Sequence, residues 1–277
     1  MKRGRSQGWK YAKESGHANE VLMSCDNGEF IKEWVEILNI LKNGEVVLKI
    51  VNNAGISQKK ELSVLGHKTT PKVDNVIITN FRKLKISLKK SLGGQVLLTS
   101  SDNFFNTLNK MYNVEVNSRV IETMKLFTGE NSDGVREILK QNEVNRANQK
   151  CSRNQRERRL NGEALLEHNP DNVRELLNFF SENMVEITKM VFSTGSVINK
   201  DSHADFIYYK NLVDKSKSAN TIFNIEDIVK NVSNKLIVFG PKNGGTTITL
   251  PFGHLQMHKN ILQIHHNYEK INFLVQY

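Results

Sequence analysis

The chain has 277 residues, of which 38% are hydrophobic and 25% are charged, a balance typical of soluble globular proteins. Lys and Arg number 39 against 29 Asp and Glu, so the formal net charge is +10. Such an excess favours a polyanionic partner, because each phosphate that is neutralised releases counterions. The two cysteines, Cys25 and Cys151, form no CxxC motif, which argues against a disulfide framework and a zinc ribbon.

The sequence lacks signals for membrane insertion, secretion and nucleotide binding. No window approaches the run of about 18 apolar residues that a transmembrane helix needs. The basic segment 1–13 is not followed by the apolar stretch of a secretory signal, and no GxxxxGK[ST] motif occurs. We therefore expect a cytoplasmic protein with no membrane contact and no nucleotide cofactor.

Composition divides the sequence into three predicted parts, which could also pack as one compact domain. Residues 1–141 are predicted to hold N-terminal helices and the core, residues 142–194 a basic helical segment, and residues 195–277 a β-rich part. The fold class is expected to be α/β, with a mixed central sheet flanked by helices and a β-rich C-terminal half.

In the first part, an amphipathic helix is predicted over 29–42, where apolar residues recur at helical spacing. Alternating and β-branched runs predict the strands, and capping residues mark the starts of the later helices. The strands are expected at 45–51, 73–79, 83–89 and 95–100, and the helices at 117–127, at 133–141 and from Ser101 onwards.

Residues 142–163 are strongly polar and basic. They form either a solvent-facing helix or a loop that becomes ordered on a phosphate backbone. A helix is predicted over 171–192, with Pro170 at its start and apolar residues along one face. The candidates for phosphate contacts in the basic segment are Arg153, Arg156, Arg158 and Arg159.

The sequence after Gly195 is typical of short strands separated by loops. Turn residues occur between short runs that are rich in β-branched and aromatic residues. The strands are predicted at 204–209, 236–239, 246–252, 261–266 and 271–275.

The segment 71–95 carries the most informative chemistry. Asp74 stands at the head of one predicted strand, and Lys89 lies near the end of the next. A hairpin would bring this carboxylate and this ammonium group close together. A carboxylate that binds Mg²⁺ and a lysine that orients a water are the minimum equipment for cutting a phosphodiester. The alternative is an ordinary sheet with exposed polar residues.

The order of PKVD, ISLKK and GGQ in this segment resembles the core of the PD-(D/E)XK nucleases, in particular restriction endonucleases and their phage relatives. The resemblance implies a restriction-endonuclease-like core and a Mg²⁺-dependent, sequence-specific endonuclease that cuts double-stranded DNA as a homodimer. It implies that Asp74 binds the metal and that Lys89 polarises the attacking water. It also gives Gln95 a phosphate or water contact and Lys90 a phosphate contact.

The sequence departs from this family at Ser87, where the family usually carries Asp or Glu. Serine is a poor Mg²⁺ ligand beside a carboxylate. Some family members have Ser-X-Lys here and recruit a carboxylate from a neighbouring helix. Glu20 is the first candidate for this second metal ligand, and Asp102 is the next. Glu20 could equally be a surface residue, and Asp102 could serve the helix dipole alone.

Four histidines, His254, His258, His265 and His266, crowd the last quarter of the chain. They invite a zinc interpretation, and the HHN triplet resembles HNH nucleases. Both interpretations are disfavoured, because the residues after His266 are predicted to be a strand and no Cys or Asp stands at zinc spacing.

Alternation along two strands instead predicts a polar face that reads DNA base edges. Plain surface histidines are the alternative. The residues of the predicted reading face are Gln256, His258, Gln263 and His265.

A second hypothesis belongs to another functional class. The same basic charge with an inert hairpin would describe a non-catalytic nucleic-acid-binding protein, for example one encoded by a phage.

Overall fold

The computed structural model describes residues 40–52, 59–89, 91–145, 157–210, 220–233 and 235–276. These residues form two compact units. The first unit contains the described residues up to Leu92 and Phe192–Asp227, and the second contains Gly93–Val191 and the residues from Ile228 onwards. The boundaries predicted after residues 141 and 194 do not coincide with these units, because each unit combines segments that are distant in sequence.

The described residues form twelve strands. In chain order they are β1 Val47–Asn52, β2 Glu61–Leu62, β3 Lys68–Thr69, β4 Asn75–Thr79, β5 Lys83–Lys89, β6 Gly93–Thr99, β7 Phe206–Lys210, β8 Asn220–Asn224, β9 Val238–Phe239, β10 Thr247–Leu250, β11 Gly253–His258 and β12 Ile261–Asn267.

The described residues also form eight α-helices, none of which is long and apolar enough to cross a membrane. They are α1 Ser101–Tyr112, α2 Ser118–Thr128, α3 Ser132–Lys140, α4 Gly162–His168, α5 Pro170–Glu182, α6 Met184–Lys189, α7 Ile225–Asn231 and α8 Tyr268–Gln276.

The first unit is built on a sheet with the strand order β1-β4-β5-β7-β8. The pair β5 and β7 is parallel and the other pairs are antiparallel, so the sheet is mixed. Alternation sends one set of side chains to a buried apolar cluster on one face. This cluster consists of Ile77, Leu84, Ile86, Leu88 and Tyr208. The predicted mixed α/β fold is confirmed.

The second unit contains an antiparallel sheet with the order β6-β12-β11-β10-β9. One face is apolar and buried, with Ile248, Leu255 and Ile264 almost inaccessible to solvent. Gly253 allows the close approach of β11 and β12, because a Cβ atom there would lie 1.8 Å from the backbone oxygen of His265.

The helix predicted over 171–192 is wrong as a single element. Helix α5 ends at Glu182, α6 follows it, and Met190–Thr194 form a π-helical turn. The break lies at Asn183, whose backbone angles of −107° and 21° are not helical. Its side-chain Nδ2 donates to the backbone oxygen of Phe179 over 2.8 Å. Asparagine competes for backbone hydrogen bonds in this way, and it favours helix ends.

The strand predicted at 271–275 is wrong, because these residues lie in helix α8. Asn267 caps the helix through its Oδ1, which accepts from the backbone nitrogen of Lys270 over 2.9 Å. Ile271 and Leu274 are buried, and their spacing places them on one helical face. A short apolar run has too few residues for periodicity to separate a helix from a strand.

Five described elements have no counterpart in the sequence prediction, namely β2, β3, α4, β8 and α7. The helix predicted over 29–42 falls outside the described residues except at 40–42, which are not helical.

Candidate active site

Asp74 is the residue immediately before strand β4 of the first-unit sheet. Its backbone nitrogen donates to the oxygen of Ile86 over 2.9 Å, and Asn75 pairs with Ile86 in the strand register. Side chains alternate across a sheet, so Asp74, Ser87 and Lys89 share the face opposite the buried apolar cluster. The antiparallel pairing of β4 and β5 therefore brings these three predicted site residues together.

A chain of hydrogen bonds connects the three side chains. Asp74 Oδ2 accepts from the backbone nitrogen of Leu88 over 2.7 Å and from the Ser87 hydroxyl over 3.3 Å. Lys89 Nζ donates to Ser87 Oγ over 2.7 Å and to the oxygen of Leu88 over 3.2 Å. Ser87, which is only 2% exposed, thus bridges the carboxylate and the ammonium group. These contacts fix the direction of both charged groups.

Lys72 is a charged neighbour that the sequence interpretation missed. Burial and the nearby charge of Lys89 lower the pKa of Lys72 to about 7, against the opposing effect of Asp74. Its aliphatic stem passes over Gly195, where a Cβ atom would lie 3.4 Å from Lys72 Cε. The backbone φ of Gly195 is +58°, which also favours glycine. Lys72 is itself the lysine of the PKVD motif, and its position two residues before Asp74 was the sequence signal that could have identified it.

The donor atoms around Asp74 fit Mg²⁺. Hard divalent cations prefer oxygen ligands, and the site offers the Asp74 carboxylate, the Ser87 hydroxyl and the backbone oxygen of Leu88. Among the described residues, no group of three His, Cys, Asp or Glu side chains could hold a metal ion. Mg²⁺ is commonly held by one or two carboxylates, with substrate phosphate and water completing its shell.

Asp102 lies in the second unit, in the first turn of α1. Its side chain is 55% exposed, and its carboxylate pairs with Lys125 Nζ at 3.0 Å. Asp102 raises the pKa of Lys125 through this hydrogen bond. Glu20, the first candidate for the second metal ligand, lies outside the described residues. So do three predicted DNA-contacting residues: Lys90, Arg153 and Arg156.

The two described arginines of the basic segment have different environments. Arg158 is exposed. Arg159 is only 2% exposed, and its guanidinium lies 4.4 Å from the centre of the Phe127 ring. It also donates to the backbone oxygen of Thr246 over 3.3 Å. This buried position does not fit the phosphate contact predicted for Arg159.

Polar side chains of the second-unit sheet form a hydrogen-bonded amide ladder, which consists of Gln95, Gln263, Gln256 and His265. Gln263 Nε2 donates to Gln95 Oε1 over 2.6 Å, and Gln256 Nε2 donates to Gln263 Oε1 over 2.8 Å. Gln256 Nε2 also donates to His265 Nε2 over 3.2 Å. The strand register places these side chains on the face opposite the apolar one.

Histidines surround one end of the ladder. His254 and His265 stack with their ring centres 4.9 Å apart, whereas His258 is exposed. Burial, with the charges of His254 and His258, lowers the pKa of His265 to about 4. Burial and Lys270 lower the pKa of His254, although a hydrogen bond with Gln256 opposes this shift.

His266 is only 4% exposed, and it points away from the ladder. A helix does follow it, contrary to the argument that disfavoured an HNH site. The described residues nevertheless provide no cluster of three potential metal ligands around the histidines.

No protein-family model matches the chain, and no curated protein matches its sequence. Among solved structures, the chain is similar to the restriction endonuclease MspI in complex with its cognate DNA. The TM-score is 0.42 at 10% sequence identity, and the similarity covers 86% of this chain and 77% of MspI.

Proposed function

We propose that the protein is a Mg²⁺-dependent, sequence-specific endonuclease that hydrolyses double-stranded DNA in the manner of a restriction enzyme. The observation that carries this proposal is the hydrogen-bonded arrangement of Asp74, Ser87 and Lys89 on one face of the sheet. A lone polar pair on a sheet surface is common, but a carboxylate, a hydroxyl and an ammonium group held in one network form a specific arrangement. It provides an oxygen ligand and a cation beside each other, as phosphodiester hydrolysis requires.

Each residue has a distinct role in this proposal. Asp74 binds the metal ion, and Leu88 N–H orients its carboxylate. A Mg²⁺ ion held by Asp74 would supply a Lewis acid for the scissile phosphate and for the charge on the leaving 3′-oxygen. Lys89 orients the attacking water, and its positive charge favours loss of the water's proton to bulk solvent, while Ser87 holds the ammonium group in place. Ser87 therefore contributes through Lys89, and the second acidic ligand must come from another residue.

The DNA contacts are proposed from charge and position. Lys90, Arg153, Arg156 and Arg158 would bind the phosphate backbone, because cations position a protein on DNA without reading its sequence. Gln256 and His258 would meet base edges, with Gln263 and His265 holding Gln256 in place. A homodimer would cut both strands of a palindromic site. Such an enzyme would act in the cytoplasm, as part of restriction and modification.

Digestion of an unmethylated phage genome tests the proposal directly. In Mg²⁺ we expect discrete fragments whose sequenced ends share one motif. A chelator should abolish the fragments, and added Mg²⁺ should restore them, because the proposal assigns polarisation of the phosphate to the metal ion. Binding to the same DNA without cleavage under any divalent cation would contradict the nuclease proposal. That result would favour a non-catalytic nucleic-acid-binding protein.

The second acidic ligand is tested by comparing Glu20→Gln with Asp102→Asn. We propose that Glu20 completes the metal site, since Asp102 already pairs with Lys125. Glu20→Gln should lower cleavage and raise the Mg²⁺ concentration needed for half-maximal rate, whereas Asp102→Asn should leave both close to wild type. The reverse pattern would assign the role to Asp102. Wild-type cleavage rates in both variants would exclude both residues from the metal site.

A further inference from the structure

The amide ladder has a defined direction. Both hydrogens of Gln256 Nε2 are used, because this atom donates to Gln263 Oε1 over 2.8 Å and to His265 Nε2 over 3.2 Å. Gln263 accepts with its oxygen and must donate onward with its nitrogen, which it does to Gln95 Oε1 over 2.6 Å. Gln256 therefore donates both to His265 and to Gln263, and Gln263 donates onward to Gln95.

The state of His265 fixes this direction. Its Nε2 accepts a hydrogen bond from Gln256, so the ring is neutral and carries its proton on Nδ1. The surroundings favour the neutral ring, since burial and the nearby His254 and His258 lower the pKa of His265. With its Nε2 unprotonated, His265 can only accept at this atom, so Gln256 must present its nitrogen to it.

Gln95 stands at the outer end and is exposed. Its oxygen is occupied by Gln263, and no residue in the described part of the chain accepts from its Nε2. The ladder thus presents to solvent an NH₂ group with two donors. An unconstrained glutamine would use its oxygen and its nitrogen together, which suits adenine in the major groove. In Gln95 the oxygen is directed at Gln263, so the nitrogen is the group that it presents outward.

We propose that Gln95 determines sequence specificity by donating both amide hydrogens to the O6 and N7 atoms of a guanine. Guanine presents two adjacent acceptors in the major groove, whereas the other bases present an acceptor beside a donor or a methyl group, or a donor alone. This inference rests on the proposed DNA-binding function and deepens it. Gln263 and His265 are positioning residues, because they act on the base through Gln95.

The substitution Gln263→Glu should reverse the orientation of the Gln95 amide, and this can be tested. A carboxylate at this position accepts from Gln256 Nε2 and can only accept from Gln95, so Gln95 must turn its nitrogen inward and its oxygen outward. The outward group changes from donor to acceptor. The preferred base should then change from guanine to one with a donor in the major groove, adenine or cytosine. Gln141→Glu is the control, because it adds the same charge at an exposed position in the second unit.

The experiment selects randomised duplex DNA by binding to the full chain in Ca²⁺, without Mg²⁺. Wild type should select a motif with a guanine whose replacement weakens binding about tenfold or more. Gln95→Leu should lose the preference at that position only. Gln263→Glu should change the preferred base there, and Gln141→Glu should keep the wild-type motif. His265→Gln, which can still offer an acceptor to Gln256, should retain the guanine preference, whereas His265→Leu should weaken it.

The outcomes separate this inference from the proposed function. If wild type binds and cuts a specific motif but Gln95→Leu and Gln263→Glu leave that motif unchanged, the role of Gln95 is overturned and the nuclease proposal stands. If the chain selects no motif or binds no DNA, both are overturned. A slower cleavage by Gln95→Leu on every DNA, with an unchanged motif, would instead assign Gln95 to the phosphate or water contact that the family resemblance implies.

Discussion

Asp74→Asn is expected to lower the single-turnover cleavage rate by about a thousandfold, which corresponds to roughly 4 kcal/mol of transition-state stabilisation. The substitution removes the charge that binds the metal ion. It keeps a side-chain oxygen that can accept from Leu88 N–H and from the Ser87 hydroxyl, so the connection between β4 and β5 should survive. The measurement is the rate on a duplex with the selected motif, started by adding Mg²⁺ to the preformed complex.

Asp205→Asn is the matched control for this prediction. Asp205 is another first-unit carboxylate beside a lysine, with its oxygen 3.7 Å from Lys85 Nζ, and its side chain is 44% exposed. We expect its removal to leave the cleavage rate within a few-fold of wild type. Binding of both variants to DNA in Ca²⁺ should persist. Equal cleavage by Asp74→Asn and wild type would exclude Asp74 from the active site, and parallel losses in both variants would indicate a general effect of charge.

The hairpin was accessible to sequence reasoning because its information is local. Alternating apolar residues in two nearby runs predict paired strands, and the pairing determines that Asp74 and Lys89 share a face. The bridging role of Ser87 follows from the same register. The environment of Lys72 was not accessible, because it depends on Gly195, which the fold brings beside it from 123 positions further along the chain.

The amide ladder shows the same division between local and distant information. Alternation places Gln256, Gln263 and His265 on one face, and the structure has them there. The pairing of β6 with β12 adds Gln95 to the ladder, and no local pattern indicates which strands of a sheet are neighbours. Arg159 is a further example, since a basic run predicts exposure and only tertiary packing sets this guanidinium against Phe127.

Glu45 anchors the first strand to the turn of the β4–β5 hairpin through a dense set of charged hydrogen bonds. Its Oε1 accepts from Arg82 Nε over 2.9 Å and from Thr79 Oγ1 over 2.8 Å. Its Oε2 accepts from Arg82 Nη2 over 3.0 Å and from the backbone nitrogen of Lys42 over 2.7 Å. The Glu45 side chain is 0% exposed. A single carboxylate thus joins two segments that are far apart in sequence, 42–45 and 79–82.

Glu45→Gln is expected to lower the free energy of unfolding at pH 7 by about 2 kcal/mol, from the loss of charge-assisted hydrogen bonds. The value is modest because Arg82 is 32% exposed and solvent screens the pair. The hydrogen bond from Arg82, against the effect of burial, lowers the pKa of Glu45 from 4.5 to about 2. The measurement is urea unfolding of both proteins at several pH values.

The pH dependence of this difference has a definite sign. The pKa of Glu45 is lower in the folded state than in the unfolded state, so the contribution of the carboxylate is complete above pH 4.5 and declines as the pH falls towards 2. Wild type and Glu45→Gln should therefore converge in stability over that window. Glu175→Gln is the control, because its exposed pair with Arg119 at 3.4 Å should contribute less than about 1 kcal/mol. A difference for Glu45→Gln that stayed constant from pH 7 to pH 2 would show that packing, rather than the charge on Glu45, links these segments.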